Sequence, residues 1–266
     1  MPNYRLALTT ILASMLVVSA PVFASETDDN IVTSAKQSYV FKTYLKGDDI
    51  TVKSNDGVVT LTGTVSEGSH KTLAQEYVAG LPGVKTVDNN LKEKGKVPAE
   101  HSDAWLITKV KATLLFHRNV KATETEVLAK DGTVTLRGNA SSTAQKDLAT
   151  EYAKDVEGVK IVKNEMKAPK AAMKTGETTM GEKMDTVSET IDDASVTALV
   201  KSTLLYHRST SALKTTVETK DGVVNLGGTA KNAAEKDLAT KLVSDVHGVK
   251  KVVNNMTVEG TKSKTN

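Results

Sequence analysis

The segment Leu114-Leu115-Phe116-His117-Arg118 returns ninety positions later as Leu204-Leu205-Tyr206-His207-Arg208. Apolar side chains beside an imidazole and a guanidinium suit the boundary of an anionic bilayer, where rings enter the headgroup layer and cations meet phosphates. Lys109, Lys111 and Lys121 lie near the first copy, Lys201 and Lys214 near the second. Leu114 and Leu204 fall at core spacing on a helix. One helix face cannot bury three consecutive large residues equally well, so Leu115, Phe116, Leu205 and Tyr206 are expected to be partly exposed. On this reading Leu115, Phe116, His117, Arg118 and Lys121, with Leu205, Tyr206, His207 and Arg208, touch lipid. The alternative places each ring beneath the following loop and leaves the arginine as a solvated charge at a helix end, stabilised by the dipole.

Other constellations lead to structure rather than chemistry. Asp56-Gly57, Asp131-Gly132 and Asp221-Gly222 offer one carboxylate per turn. Calcium takes about six to eight oxygens, so these read as hairpin turns. Gly63, Gly138 and Gly228 precede a helix, where a phosphate could rest on free amides, but no glycine-rich loop surrounds them. Strand termination or close packing is the expectation there. Asn89, Asn164 and Asn254 share strand parity with apolar neighbours and are expected to bond a nearby backbone group and fix the strand end. His70, His101, His117, His207 and His247 show no zinc-ligand spacing, and no Gly-x-Ser-x-Gly elbow is present. No metal, cofactor or catalytic residue is expected.

The elements that carry these residues are written as a repeat. Asp56-Gly57-Val58-Val59-Thr60-Leu61-Thr62-Gly63 recurs from Asp131 to Gly138 and from Asp221 to Gly228. Each copy leads through a helix-like stretch to Gly83-Val84, Gly158-Val159 or Gly248-Val249, always at twenty residues from the preceding motif glycine. A fixed interval means one folding unit used three times. Within a unit the pattern reads helix, strand, strand, helix, strand. Leu106, Val110 and Leu114 define an amphipathic helix from Asp103 to about His117, capped by Ser102 or Asp103. Ser142-x-x-Gln145 and Asn232-x-x-Glu235 are capping-box patterns, and Gly83, Gly158 and Gly248 are expected to cap the second helix of each unit. The result is an α+β unit of two helices on a three-stranded sheet, each with its own core. Units are expected at 28–96, 101–170 and 191–259, with a linker at 171–190. In unit one, Lys42 to Asp56 spans 14 residues, whereas Lys111 to Asp131 and Lys201 to Asp221 span 20, and Gly47-Asp48-Asp49 replaces the basic corner. Membrane contact is therefore expected of units two and three only.

The chain opens with Arg5, an apolar run from Leu6 to Val18, and Val22-x-Ala24 before a break. This reads as a Sec-type signal peptide, residues 1–24, cleaved after Ala24. The chain has no cysteine, which excludes disulfides, a thiol nucleophile and a lipid-bearing residue at the cleavage point. A soluble periplasmic protein that is not a lipoprotein is the expectation. The formal net charge is only +3 and aromatics make up 4%, so no nucleic-acid partner is expected.

Asp-Gly-x-Val-x-Leu-x-Gly, a helix, then Gly-Val-x-x-Val-x-Asn resembles the BON domain, and the resemblance covers nearly the whole mature chain as three copies. It implies an αββαβ fold, no catalysis, and a place in osmotic or envelope stress and outer-membrane maintenance. It also implies as partners an anionic phospholipid surface or other outer-membrane components. A second reading is a chaperone or interaction module for unfolded envelope or exported proteins.

Overall fold

The structure, a computed structural model, describes residues 24–95, 98–120, 122–169, 191–210 and 215–259. The expected leader up to residue 23, the expected linker, Lys121 and Lys214 lie outside the described residues.

Unit one runs α1 (Ala24–Gln37), a π-helical turn (Val40–Tyr44), β1 (Asp49–Asn55), β2 (Val58–Val65), α2 (Gly68–Ala79) and β3 (Thr86–Glu93). Unit two runs α3 (Asp103–Leu115), a short 3-10 turn (Ala122–Glu124), β4 (Thr125–Lys130), β5 (Thr133–Gly138), α4 (Thr143–Lys154) and β6 (Ile161–Asn164). Unit three runs α5 (Asp193–Tyr206), β7 (Thr215–Lys220), β8 (Val223–Ala230), α6 (Ala233–Ser244), β9 (Lys251–Asn254) and β10 (Thr257–Val258). In each sheet the second strand is central, antiparallel to the first and parallel to the third. The hairpin gives the antiparallel pair and the second helix is the crossover that a parallel pair needs. This is the αββαβ, α+β architecture.

The hairpins close on two successive residues at positive φ, Asp56 at 51° and Gly57 at 78°, the backbone of a type I′ turn. The first helix fixes that turn. Asp28 of α1 accepts from the Asp56 and Gly57 amides at 2.7 and 3.0 Å, and Asp193 of α5 accepts from Asp221 and Gly222 at 2.7 and 2.8 Å. The asparagines tie the third strand to the crossover helix: Asn164 Nδ2 donates to Lys146 O and Thr150 Oγ1, both at 2.7 Å, and its Oδ1 accepts from the Met166 amide. Asn89 and Asn254 make the equivalent bonds.

Gly63 and Gly138 serve close approach. A Cβ at Gly63, φ +119°, would lie 1.9 Å from Asp49 O, and one at Gly138, φ +127°, 2.2 Å from Glu124 O. In unit one the strand runs on to Val65, so the glycine does not end it. Gly138→Ala is expected to destabilise by about 2–4 kcal/mol, combining left-handed strain with the clash. A fall in the urea midpoint at constant m checks it. Gly83, Gly158 and Gly248 do not cap the crossover helices as expected. Those helices end at Ala79, Lys154 and Ser244, with Gly80, Asp155 and Asp245 as C-caps, and the three glycines lie in the turn that follows.

The expectation of three separate cores is corrected. Ile31, Leu61, Leu73 and Val78 of unit one form one buried cluster with Leu199, Leu204, Leu226 and Val243 of unit three, and Phe116 of unit two enters it. Leu242 and Leu238 of unit three join the cluster of unit two. Helices α2 and α5 pack together, Tyr39 N and Val40 N donate to Asp192 Oδ2 and Ser195 Oγ at 3.2 and 3.3 Å, and Lys201 Nζ lies 3.5 Å from Glu76 Oε2. The physical reason is size. A unit of about 70 residues buries too small a fraction of its surface to leave an apolar helix face in water. Among the described residues no helix is long and apolar enough to cross a membrane.

Candidate functional site

Helix α3 ends at Leu115 and α5 at Tyr206, so the repeated segments turn off the helix at Phe116 and His207. Each then runs to the C-terminal end of the crossover helix in the other unit. The Arg118 amide donates to Asp245 O at 2.8 Å, and the Arg208 amide to Asp155 O at 3.0 Å. Arg118 continues with its guanidinium on Ser244 O (2.7 Å) and Val249 O (3.1 Å), and Arg208 reaches Lys154 O at 3.4 Å. A cation over unpaired carbonyls at a helix C-terminus satisfies both the hydrogen bonds and the dipole. The two contacts are the same contact made in both directions, giving a pseudo-two-fold joint between units two and three.

The imidazoles meet at its centre. His117 Nε2 and His207 Nε2 are 3.0 Å apart. His207 Nδ1 lies 2.9 Å from Asp155 Oδ2 and His117 Nδ1 3.3 Å from Asp245 Oδ2. The Tyr152 ring stacks on His117 with centroids 3.8 Å apart, and its hydroxyl donates to Asp245 Oδ2 at 2.7 Å. Asn119 Nδ2 and Ser209 Oγ, at matching places in the repeat, donate to Asp245 Oδ1 and Asp155 Oδ1. Burial, the largest influence, pushes His117 below the ordinary histidine value, while the nearby Asp245 carboxylate works the other way. Burial also raises Asp155, but the hydrogen bonds from His207 and Ser209 outweigh it and hold the carboxyl below its usual range. Burial first, then the bond to Asp245, raises the Tyr152 hydroxyl above its ordinary value.

The expected exposure of the repeated segment is corrected in part. Phe116 is fully buried, with its ring 5.8 Å from Tyr44 of unit one and 6.3 Å from Tyr206 of unit three. His117 and His207 are also buried. These three are out of reach of a lipid in this arrangement, because neighbouring units cover them. Leu115 is half-buried against the shared cluster. Tyr206 is half-buried, with the Lys109 ammonium 4.8 Å from its ring and 5.3 Å from that of Trp105. Leu205 is 48% exposed, and Arg118 and Arg208 are exposed. Three open grooves flank these contacts. One of about 550 Å³ runs past Tyr44, His70, Leu115, Arg118 and His247. A second of about 270 Å³ lies along Tyr152, Asp155, Arg208 and Leu242, and a third of about 170 Å³ along Ser69, Trp105 and Lys109. Among the described residues no group of three or more His, Asp or Glu side chains could hold a metal ion.

Sequence reasoning missed Asp155, Asp245 and Tyr152. A signal was present. An aspartate at a helix C-terminus opposes the dipole, and it occurs there twice at matching repeat positions, where unit one has Gly80. An unfavourable charge repeated at one place implies a partner.

The chain belongs to the BON domain family, whose profile matches residues 27–95, 102–170 and 192–260. It is 31% identical to osmotically-inducible protein Y of Escherichia coli (strain K12) over 198 residues, 74% of this chain and 92% of that protein. It is 38% identical to the 21 kDa hemolysin of Actinobacillus pleuropneumoniae over 117 residues, 43% of this chain and 60% of that protein. It is 34% identical to outer membrane lipoprotein DolP of Haemophilus influenzae over 111 residues, 41% of this chain and 57% of that protein. The last two matches span less than two thirds of those proteins' own lengths.

Proposed function

We propose that this is a non-enzymatic periplasmic protein of osmotic and envelope stress, which meets anionic phospholipid surfaces and helps to maintain the outer membrane. The observation that carries the stress reading is the likeness to osmotically-inducible protein Y across 92% of that protein's length. The lipoprotein relative, placed by its name at the outer membrane, supports the envelope address. For the lipid surface the supporting feature is the corner of unit three. Leu205 is 48% exposed there, three residues before the exposed Arg208, while its counterpart in unit two, Leu115, is half-buried against the cluster shared by units one and three. An apolar side chain beside a guanidinium gives weak, reversible, salt-sensitive binding.

The test is co-sedimentation of the full chain with vesicles of phosphatidylcholine alone and of phosphatidylcholine mixed with phosphatidylglycerol. Wild type should bind the mixed vesicles only. The variant Leu205→Ser removes an exposed apolar side chain and should weaken binding by about 1 kcal/mol, roughly fivefold. Equal binding by the variant would overturn the assignment of the corner. Absence of binding by wild type would overturn the lipid reading itself.

A further inference from the structure

Two imidazoles, 0% and 2% exposed, lie between the carboxylates of Asp155 and Asp245. The row has three contacts: Asp155 Oδ2 to His207 Nδ1 at 2.9 Å, ring to ring at 3.0 Å, and His117 Nδ1 to Asp245 Oδ2 at 3.3 Å. Each contact needs one N–H facing one lone pair. Two neutral rings carry only two N–H groups between them. Those fill the Asp155 bond and the ring-to-ring bond and leave His117 Nδ1 bare toward a carboxylate oxygen. That nitrogen is the one without a hydrogen-bond partner in the row. A third proton makes one ring an imidazolium and completes all three bonds. A fourth sets N–H against N–H at the ring-to-ring contact, which no tautomer relieves.

We propose that the His117–His207 contact is an acid-released latch: the closed joint between units two and three admits at most three ring protons, and the opened joint takes four. The charges facing the pair agree with this limit. Asp245 and Tyr152 face His117, and Asp155 faces His207. Arg118 and Arg208 follow the rings in the chain and pin themselves to the opposite helix ends, and His247 adds a further cationic group on the side of His117 when protonated. The cationic groups oppose a second imidazolium, while Asp155 stays ionised through the mildly acidic range because its hydrogen bonds hold it below its usual value.

The sign follows from proton counting. Rings released to water titrate near 6.5, so well below that pH the opened joint holds four ring protons against at most three in the closed one. The latch is therefore shut above about pH 6.5 and loosens as the pH falls, the opening constant rising about tenfold per pH unit for each extra proton. The depressed value of His117 runs in the same direction.

Because the chain has no cysteine, Lys163→Cys in unit two and Lys251→Cys in unit three, both at exposed positions, take distance labels specifically. In the full chain the distance between them should lengthen between pH 7.5 and 5.0, and His117→Phe, which removes the opposing N–H, should largely abolish the pH dependence. Histidine nitrogen NMR of the unsubstituted full chain supplies a second readout. A coupling between the two Nε2 atoms should be present at pH 7.5 and vanish on acidification, both rings taking up protons as the joint opens. A constant distance down to pH 5.0, rings that titrate independently near 6.5 with the joint closed, or wild-type pH dependence in His117→Phe would overturn the proposal. Should that variant fail to fold, the NMR result alone decides.

Discussion

Phe116→Ala should lower the free energy of unfolding by about 3–5 kcal/mol. The ring is wholly out of solvent and packs edge-on to Tyr44 and obliquely to Tyr206, so its removal opens a hole where all three units meet. Urea unfolding followed by the fluorescence of Trp105, the single tryptophan, and by far-ultraviolet circular dichroism should show both transitions moving down together. A lipid-contacting ring would behave in the opposite way. Its truncation would leave the urea midpoint in place and weaken vesicle binding. The variant thus separates the two roles the sequence allows for this residue.

Asp245→Ala should cost a similar amount, about 3–5 kcal/mol, through a different mechanism. The carboxylate is 6% exposed and accepts from the Tyr152 hydroxyl and the Asn119 amide while facing His117. Its loss strands the buried Tyr152 phenol and removes the acceptor of the Asn119 amide. Asp155→Ala should cost less, about 1–3 kcal/mol, since that side chain is more open to water and one of its partners, Ser209, is at the surface. Thermal melts of the two variants side by side check the order. Equal losses would mean that the two halves of the joint share its energy evenly despite their different burial.

What the sequence discloses here is whatever is local. The Asp-Gly turns, the capping bonds from the Gln145 amide to Ser142 and from the Glu235 amide to Asn232, and the tie from Asn164 to the crossover helix each involve residues within about one element of each other. Repetition made them legible, because a pattern written three times separates what the fold needs from what drifts. The joint is not local. Phe116 finds Tyr44 and Tyr206, and His117 finds His207, only after three units have turned toward one another. An apolar residue past the end of a helix looks the same in sequence whether lipid or another domain covers it. The misplaced helix ends have the same origin. A glycine three residues past the cap is the loudest symbol in the turn, and Asp155 and Asp245 end the helices because the opposite unit supplies an amide and an imidazole to them.

The packing of α2 on α5 sets a timetable for the nascent chain. Helix α2 ends at Ala79 and its neighbour begins at Asp193, so more than a hundred residues must leave the ribosome before the two can meet. At roughly 5–20 residues per second, synthesis of that interval lasts roughly 6–23 seconds. For that period the first repeat is a client in search of shelter rather than a finished piece, and a chain cut short within its second repeat never completes it.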